Sequence, residues 1–95
     1  MANPAAYNAS KGGLIQLSRY LATTLAPHTR VNSISPGGIS RGQPPLFVDR
    51  YVNKVPLGRM AEEEDFKGIA QLLMSDLGSY ITGQNFLVDG GMTIW

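Results

Sequence analysis

Arg30-Val31-Asn32-Ser33-Ile34-Ser35, followed at once by Pro36-Gly37-Gly38, reads as a short extended strand closed by a turn. Upstream, Asn3 suits a helix N-cap and Pro4 the first helical position, so a helix is expected from there to about Leu25, before Pro27 stops it. Downstream, residues 39–60 change character. Pro44, Pro45 and Pro56 interleave with Leu46, Phe47, Val48, Tyr51 and Val52, which reads as a loop carrying a short helix around 45–54. Such a segment is either a surface excursion or a lid over a binding site. Glu62-Glu63-Glu64-Asp65 then precedes Phe66, Ile69, Leu72 and Leu73, an amphipathic helix with acids at its positive end that closes near Ser75-Asp76. After Gly78 and a Thr82-Gly83 turn, Asn85-Phe86-Leu87-Val88-Asp89 reads as a second strand, stopped by Gly90-Gly91. Helices alternating with short apolar strands define an α/β chain with parallel pairing.

Composition narrows the function classes. The 95 residues are 43% hydrophobic and 16% charged, with a formal net charge of +1. That balance gives no electrostatic case for nucleic acid or an anionic membrane. The absence of cysteine removes disulfides, thiolate catalysis and thiolate metal sites. The single histidine, His28, sits in a loop-forming stretch without a carboxylate cluster, so no metal site is expected. No stretch approaches the ~20 apolar residues needed to span a bilayer, and no leader pattern is visible, so the cytoplasm is the expected setting.

The first helix carries two patterns. Leu14, Leu17, Leu21 and Leu25 recur at three- and four-residue steps and predict a core stripe. Ala5, Ala6, Ala9, Ser10, Gly12 and Gly13 make its first half small, as close approach by another backbone, a cofactor or a partner helix requires. Tyr7 and Lys11, four residues apart, stack one turn above the other. A free phenol titrates near 10 and is a poor proton carrier at neutral pH. A neighbouring cation favours the phenolate, so the pair is a candidate general acid/base.

Tyr7-Asn8-Ala9-Ser10-Lys11, Val31-Asn32-Ser33-Ile34-Ser35-Pro36-Gly37, Tyr80-Ile81-Thr82-Gly83-Gln84 and Val88-Asp89-Gly90-Gly91 follow one another in an order and spacing that resembles the C-terminal portion of a short-chain dehydrogenase/reductase. The resemblance spans nearly the whole chain. It implies the C-terminal part of a doubly wound Rossmann-type parallel sheet, with residues 1–95 a fragment of a single NAD(P)-binding domain and 39–60 its substrate lid. It further implies Tyr7 as the acid/base and Lys11 as the residue that assists it and holds the nicotinamide ribose. Pro36, Gly37, Gly38 and Ile39 would form the turn beside the nicotinamide, with NAD or NADP as cofactor and an alcohol or carbonyl as substrate. Many family members place a threonine where Arg41 stands. The nicotinamide amide contact then falls to Ser40 or to backbone, and Arg41 becomes a candidate partner for an anionic substrate group or a cofactor phosphate. Phe47 joins Ser40 and Arg41 as a substrate-loop candidate. The segments 42–47, 55–60 and Thr93-Ile94-Trp95 are similar to oxidoreductases of nonulosonic (sialic-acid-like) sugar biosynthesis.

The 95 residues contain no Gly-x-x-x-Gly-x-Gly or Gly-x-Gly-x-x-Gly loop to cradle a pyrophosphate. The dinucleotide-binding half implied by the resemblance is therefore expected to lie outside them, and the isolated chain to be inactive and to bind dinucleotide poorly. The alternative is a non-catalytic remnant that serves only in packing or assembly. The apolar end Met92-Thr93-Ile94-Trp95 and the small-residue helix face point to a homo-oligomer, dimer or tetramer, with Asp89-Gly90-Gly91 near a subunit contact.

Overall fold

A computed structural model describes residues 4–94. Asn3 and Trp95, the expected N-cap and the terminal aromatic, lie outside them. The element order is α1 (Pro4–Leu25), β1 (Ser33–Pro36), α2 (Pro45–Val52), α3 (Lys67–Met74) and β2 (Asn85–Val88). Short 3-10 turns cover Glu63–Phe66, Asp76–Gly78 and Met92–Ile94.

β1 and β2 pair in parallel, with Ser33 opposite Asn85 and Pro36 opposite Val88. Parallel neighbours need a long crossover, and the lid and α3 supply it. The expected strand start at Arg30 is corrected to Ser33, because side chains replace the ladder upstream of it. Val31 N–H donates to Thr82 Oγ1 (3.0 Å), and the Asn32 side chain donates to Ile81 O (3.0 Å) while accepting from Gln84 N–H (3.0 Å). Arg30 reaches from the same segment to Leu73 O (2.7 Å) and Ile81 O (3.2 Å), fastening the end of α3 to the approach of β2. At the other end, Pro36 belongs to the ladder and not to the turn after it.

The leucine stripe of α1 is also corrected. Leu14, Leu17 and Leu25 are 61%, 51% and 41% exposed. The row that turns inward is Lys11, Ile15, Ser18 and Ala22, of which Ala22 is buried. The turn before β2 approaches that row, and at Gly83 an added Cβ would lie 3.5 Å from Ala22 Cβ. Within the described residues Leu21 is half-buried, while Leu14, Leu17 and Leu25 stay largely uncovered.

Burial concentrates at the foot of the lid. Val55 and Met60 are buried. Val55 and Pro56 press so closely on Gly90 and Gly91 that added Cβ atoms there would lie 2.7 and 2.9 Å from them. Both glycines also have positive φ, 66° and 91°, which other residues adopt at a steric cost. The Asp89-Gly90-Gly91 turn, expected beside a subunit contact, is thus packed by the chain's own lid.

Candidate active site

Residues 39–60 leave the sheet and return to it. Gly38, Ile39 and Ser40 meet Ala61 in an isolated parallel bridge, with Ser40 N–H to Ala61 O and Ala61 N–H to Gly38 O both 2.8 Å. Both ends of the lid are therefore pinned at the C-terminal end of β1. In open parallel sheets this end is where ligands bind.

Tyr7 and Lys11 face the same strand end. Lys11 Nζ stands 3.5 Å from Tyr7 Oη and 5.6 Å from the centre of its ring. Tyr7 is 56% exposed and Lys11 is half-buried. With Leu14, Ile15, Pro36 and Gly37 they line a cavity of about 400 Å³ between α1 and β1. Asn85 closes its floor, where its Oδ1 accepts from the hydroxyls of Ser33 (2.8 Å) and Ser35 (2.9 Å). The sequence had flagged none of these three polar residues beyond their strand positions, although Ser33 and Ser35 alternate onto one strand face.

Gly37 also borders a second, smaller cavity of about 120 Å³, shared with Gly38, Tyr51, Leu57 and Asp89. Of the turn residues expected beside a nicotinamide, Pro36 and Gly37 therefore line the Tyr7/Lys11 cavity. Gly38 instead lies beneath Tyr51, whose hydroxyl accepts from Gly38 N–H. Ile39 bridges to Ala61, and its carbonyl oxygen accepts from the Gln43 side-chain amide (2.9 Å).

The lid candidates separate in the same way. Ser40 is exposed and bonded through its backbone to Ala61. Phe47 stacks on Tyr51 within α2, with ring centroids 6.2 Å apart. Arg41 does not turn to the cavity. It pairs with Glu63 at 2.6 Å on the surface, so the anionic group that Arg41 meets within this chain is a carboxylate of the chain itself.

The acidic run does more than oppose the helix dipole. Glu62 and Asp65 form a reciprocal capping box at the turn before α3, with Glu62 N–H to Asp65 Oδ2 at 2.7 Å. Arg59 grips Asp65 with two bonds of 2.7 and 2.9 Å. The guanidinium bonds first, and the Glu62 N–H second, hold the Asp65 carboxyl well below the usual range. Asp89 is lowered too, by the Thr93 hydroxyl and the Gly91 N–H that bond to it. Among the described residues, no group of three or more acidic or histidine side chains could hold a metal ion, and no helix is long and apolar enough to cross a membrane.

Residues 1–93 match the family described as enoyl-(acyl carrier protein) reductase. The chain is 40% identical over 92 residues to an NADP-dependent mannitol dehydrogenase of Hypocrea jecorina, covering 92% of this chain and 34% of that protein. It is 37% identical over 103 residues to an NADH-dependent L-xylulose reductase of Ambrosiozyma monospora, covering 98% and 38%. Its structure superposes with a TM-score of 0.88 and 43% identity on a short-chain dehydrogenase from Leptospira borgpetersenii with bound NAD+, covering 98% of this chain and 39% of that one. The chain thus spans little more than a third of the length of these relatives.

Proposed function

The chain belongs to the short-chain dehydrogenase/reductase family, and from that premise we propose that it supplies the proton-transfer centre and the substrate lid of an NAD(P)-dependent oxidoreductase. Its α/β fold is part of a doubly wound Rossmann-type sheet. The observation that carries the proposal is the placement of Tyr7 Oη and Lys11 Nζ, 3.5 Å apart, in one cavity at the C-terminal end of β1.

The residues around that cavity fit a nicotinamide riboside. An ammonium and a phenol match the donor and acceptor pattern of ribose hydroxyls. The cavity volume is ordinary for a small-molecule site. Gly37 leaves backbone exposed to a flat ring. Bound there, the nicotinamide supplies the hydride acceptor or donor. Tyr7 Oη takes the proton of a substrate hydroxyl during oxidation and returns it to a carbonyl oxygen during reduction. Lys11 would hold the ribose hydroxyls, and its contact with Oη keeps the phenol oriented. Pro36 and Gly37, which line the cavity, would form the wall beside the nicotinamide, and α2 with Phe47 would close over the substrate.

The substrate class follows the relatives. Mannitol dehydrogenase and L-xylulose reductase are named for a polyol and a ketose. We assign this chain to polyol and ketose chemistry in preference to nonulosonic sugars. The exposed leucines of α1 support packing against a second copy in a homo-oligomer. A cytoplasmic setting belongs to the same reading. With no glycine-rich phosphate loop among its 95 residues, this stretch alone is expected to bind dinucleotide weakly and to show no turnover.

A panel of polyols and ketoses, assayed with NAD and NADP on the whole protein, tests the assignment. Turnover of polyols or ketoses is the expected result, and absence of hydride transfer to or from every member would overturn it. Titration of the isolated 95 residues with NADH separates the two parts of the claim, since saturable binding with turnover would contradict their expected inactivity.

A further inference from the structure

Among the described residues, Tyr51 is the α2 side chain that bonds to the turn at the end of β1. It sits on α2, and its hydroxyl accepts a hydrogen bond from Gly38 N–H. The contact is close on every side. A Cβ built on Gly38 would fall 2.6 Å from Tyr51 Cζ and 2.8 Å from its Oη, and one on Gly37 would fall 3.3 Å from the same oxygen. Gly38 has no positive φ that would call for glycine, so what demands glycine there is the ring of Tyr51. The ring is steadied by the stacked ring of Phe47 one helical turn earlier.

The other lid anchors lie at its two ends and at Val55 and Pro56, which follow α2 and pack on Gly90 and Gly91. The Ile39–Ala61 bridge and the Arg41–Glu63 pair hold where the lid leaves, and the Arg59–Asp65 pair holds where it returns. The bridge and the two arginine pairs do not involve α2. The middle of the lid, 45–52, reaches the sheet through Tyr51, and α2 has no buried residue of its own. Gly37, next to the bonded amide, borders both the Tyr7/Lys11 cavity and the smaller cavity under Tyr51.

We propose that Tyr51 is a positioning residue: its phenol, bonded to Gly38 N–H, sets the height of α2 above the Tyr7/Lys11 cavity and so governs how tightly substrate is held. This inference rests on the reading of that cavity as the oxidoreductase site and of α2 as its lid. Tyr51 itself exchanges no proton with substrate.

Two readouts on the whole protein test it, one of them independent of turnover. Tyr51→Phe keeps the ring and removes the acceptor. It is expected to speed amide hydrogen exchange at Gly38 and to raise substrate KM, each about five- to tenfold, with kcat changed less than KM. Gly38→Ala drives a methyl into the ring and is expected to raise KM further. In the double variant the two effects should not add, because both break one contact. Tyr7→Phe serves as the control, stopping turnover with Gly38 exchange unchanged. Unchanged Gly38 exchange in Tyr51→Phe, or faster exchange with substrate KM unmoved, would overturn the proposal. Persistence of turnover in Tyr7→Phe would instead overturn the active-site reading and would leave the exchange result as evidence for the tie alone.

Discussion

The helix that carries the chemistry and the loop that covers it are built in opposite ways. α1 presents Leu14, Leu17 and Leu25 to solvent, buries Ala22, and makes its polar bonds largely within itself, as between Ser18 and Leu14 O or Arg19 and Gln16. The lid has little regular structure, yet its ends are fixed by a backbone bridge and two arginine pairs, and its foot buries Val55 and Met60. Helical order therefore does not measure how firmly an element is held to the sheet. A helix satisfies its own backbone and can project a reactive pair with few tertiary contacts, whereas a loop stays in place only through bonds to other segments.

That contrast predicts that substitutions on α1 change chemistry more than stability, and that those around the lid do the reverse. The largest effect is expected from Lys11→Met, which should lower kcat/KM in the whole protein by about 100-fold or more. The unfolding midpoint should hardly move, because the side chain is only half-buried and its described contacts are with Tyr7. Kinetics set beside a thermal melt read both. Arg30→Ala should give the mirror image. Loss of the charged donor to Leu73 O and Ile81 O, the second still served by Asn32, loosens the junction of α3 and β2, at a cost of about 1–3 kcal/mol in denaturant unfolding.

Asp65 should show a smaller, pH-dependent effect. Its carboxyl is held below the ordinary range in the folded chain, so the stabilisation it contributes is complete above the unfolded-state value of about 4. That contribution is lost as the pH falls from there toward the lowered folded value. Asp65→Asn should therefore flatten the decline of the unfolding midpoint at acid pH, with the Asp89 carboxyl responsible for part of what remains. Arg41→Ala is expected to be the mildest. Its pair with Glu63 is solvent-exposed, so a change within about 1 kcal/mol and unaltered KM values for substrate and cofactor should follow. A raised KM would restore Arg41 to the binding site.

Much of this was legible from residue order alone. Pro4 and Pro27 bracket α1, the prolines of the lid and the glycines after each strand mark the breaks, and the parallel pairing followed from the alternation of elements. The errors share a cause. The leucine periodicity identified a helix face correctly but not what covers it, since coverage depends on surfaces distant in sequence. The start of β1 lies later than the sequence suggests because Asn32 and Thr82 imitate ladder bonds with side chains, and the partners lie 51 and 49 residues away. The pairing of Arg41 with Glu63 is not legible in the sequence, because the two meet only when both ends of the lid are brought together. Tyr51 was seen as one apolar lid residue among several, and its bond to Gly38 could not be inferred without the turn's geometry.

The central claim is that Tyr7 exchanges the substrate proton. Its most direct test is the kcat of Tyr7→Phe in the whole protein, measured with a polyol that the wild type oxidises and alongside the unfolding midpoint. The phenol is exposed and its described polar contact is with Lys11, so the fold should not need its oxygen. A fall in kcat of about 100-fold or more with an unchanged midpoint is the predicted result. Oxidation at the wild-type rate by a folded Tyr7→Phe protein would contradict it.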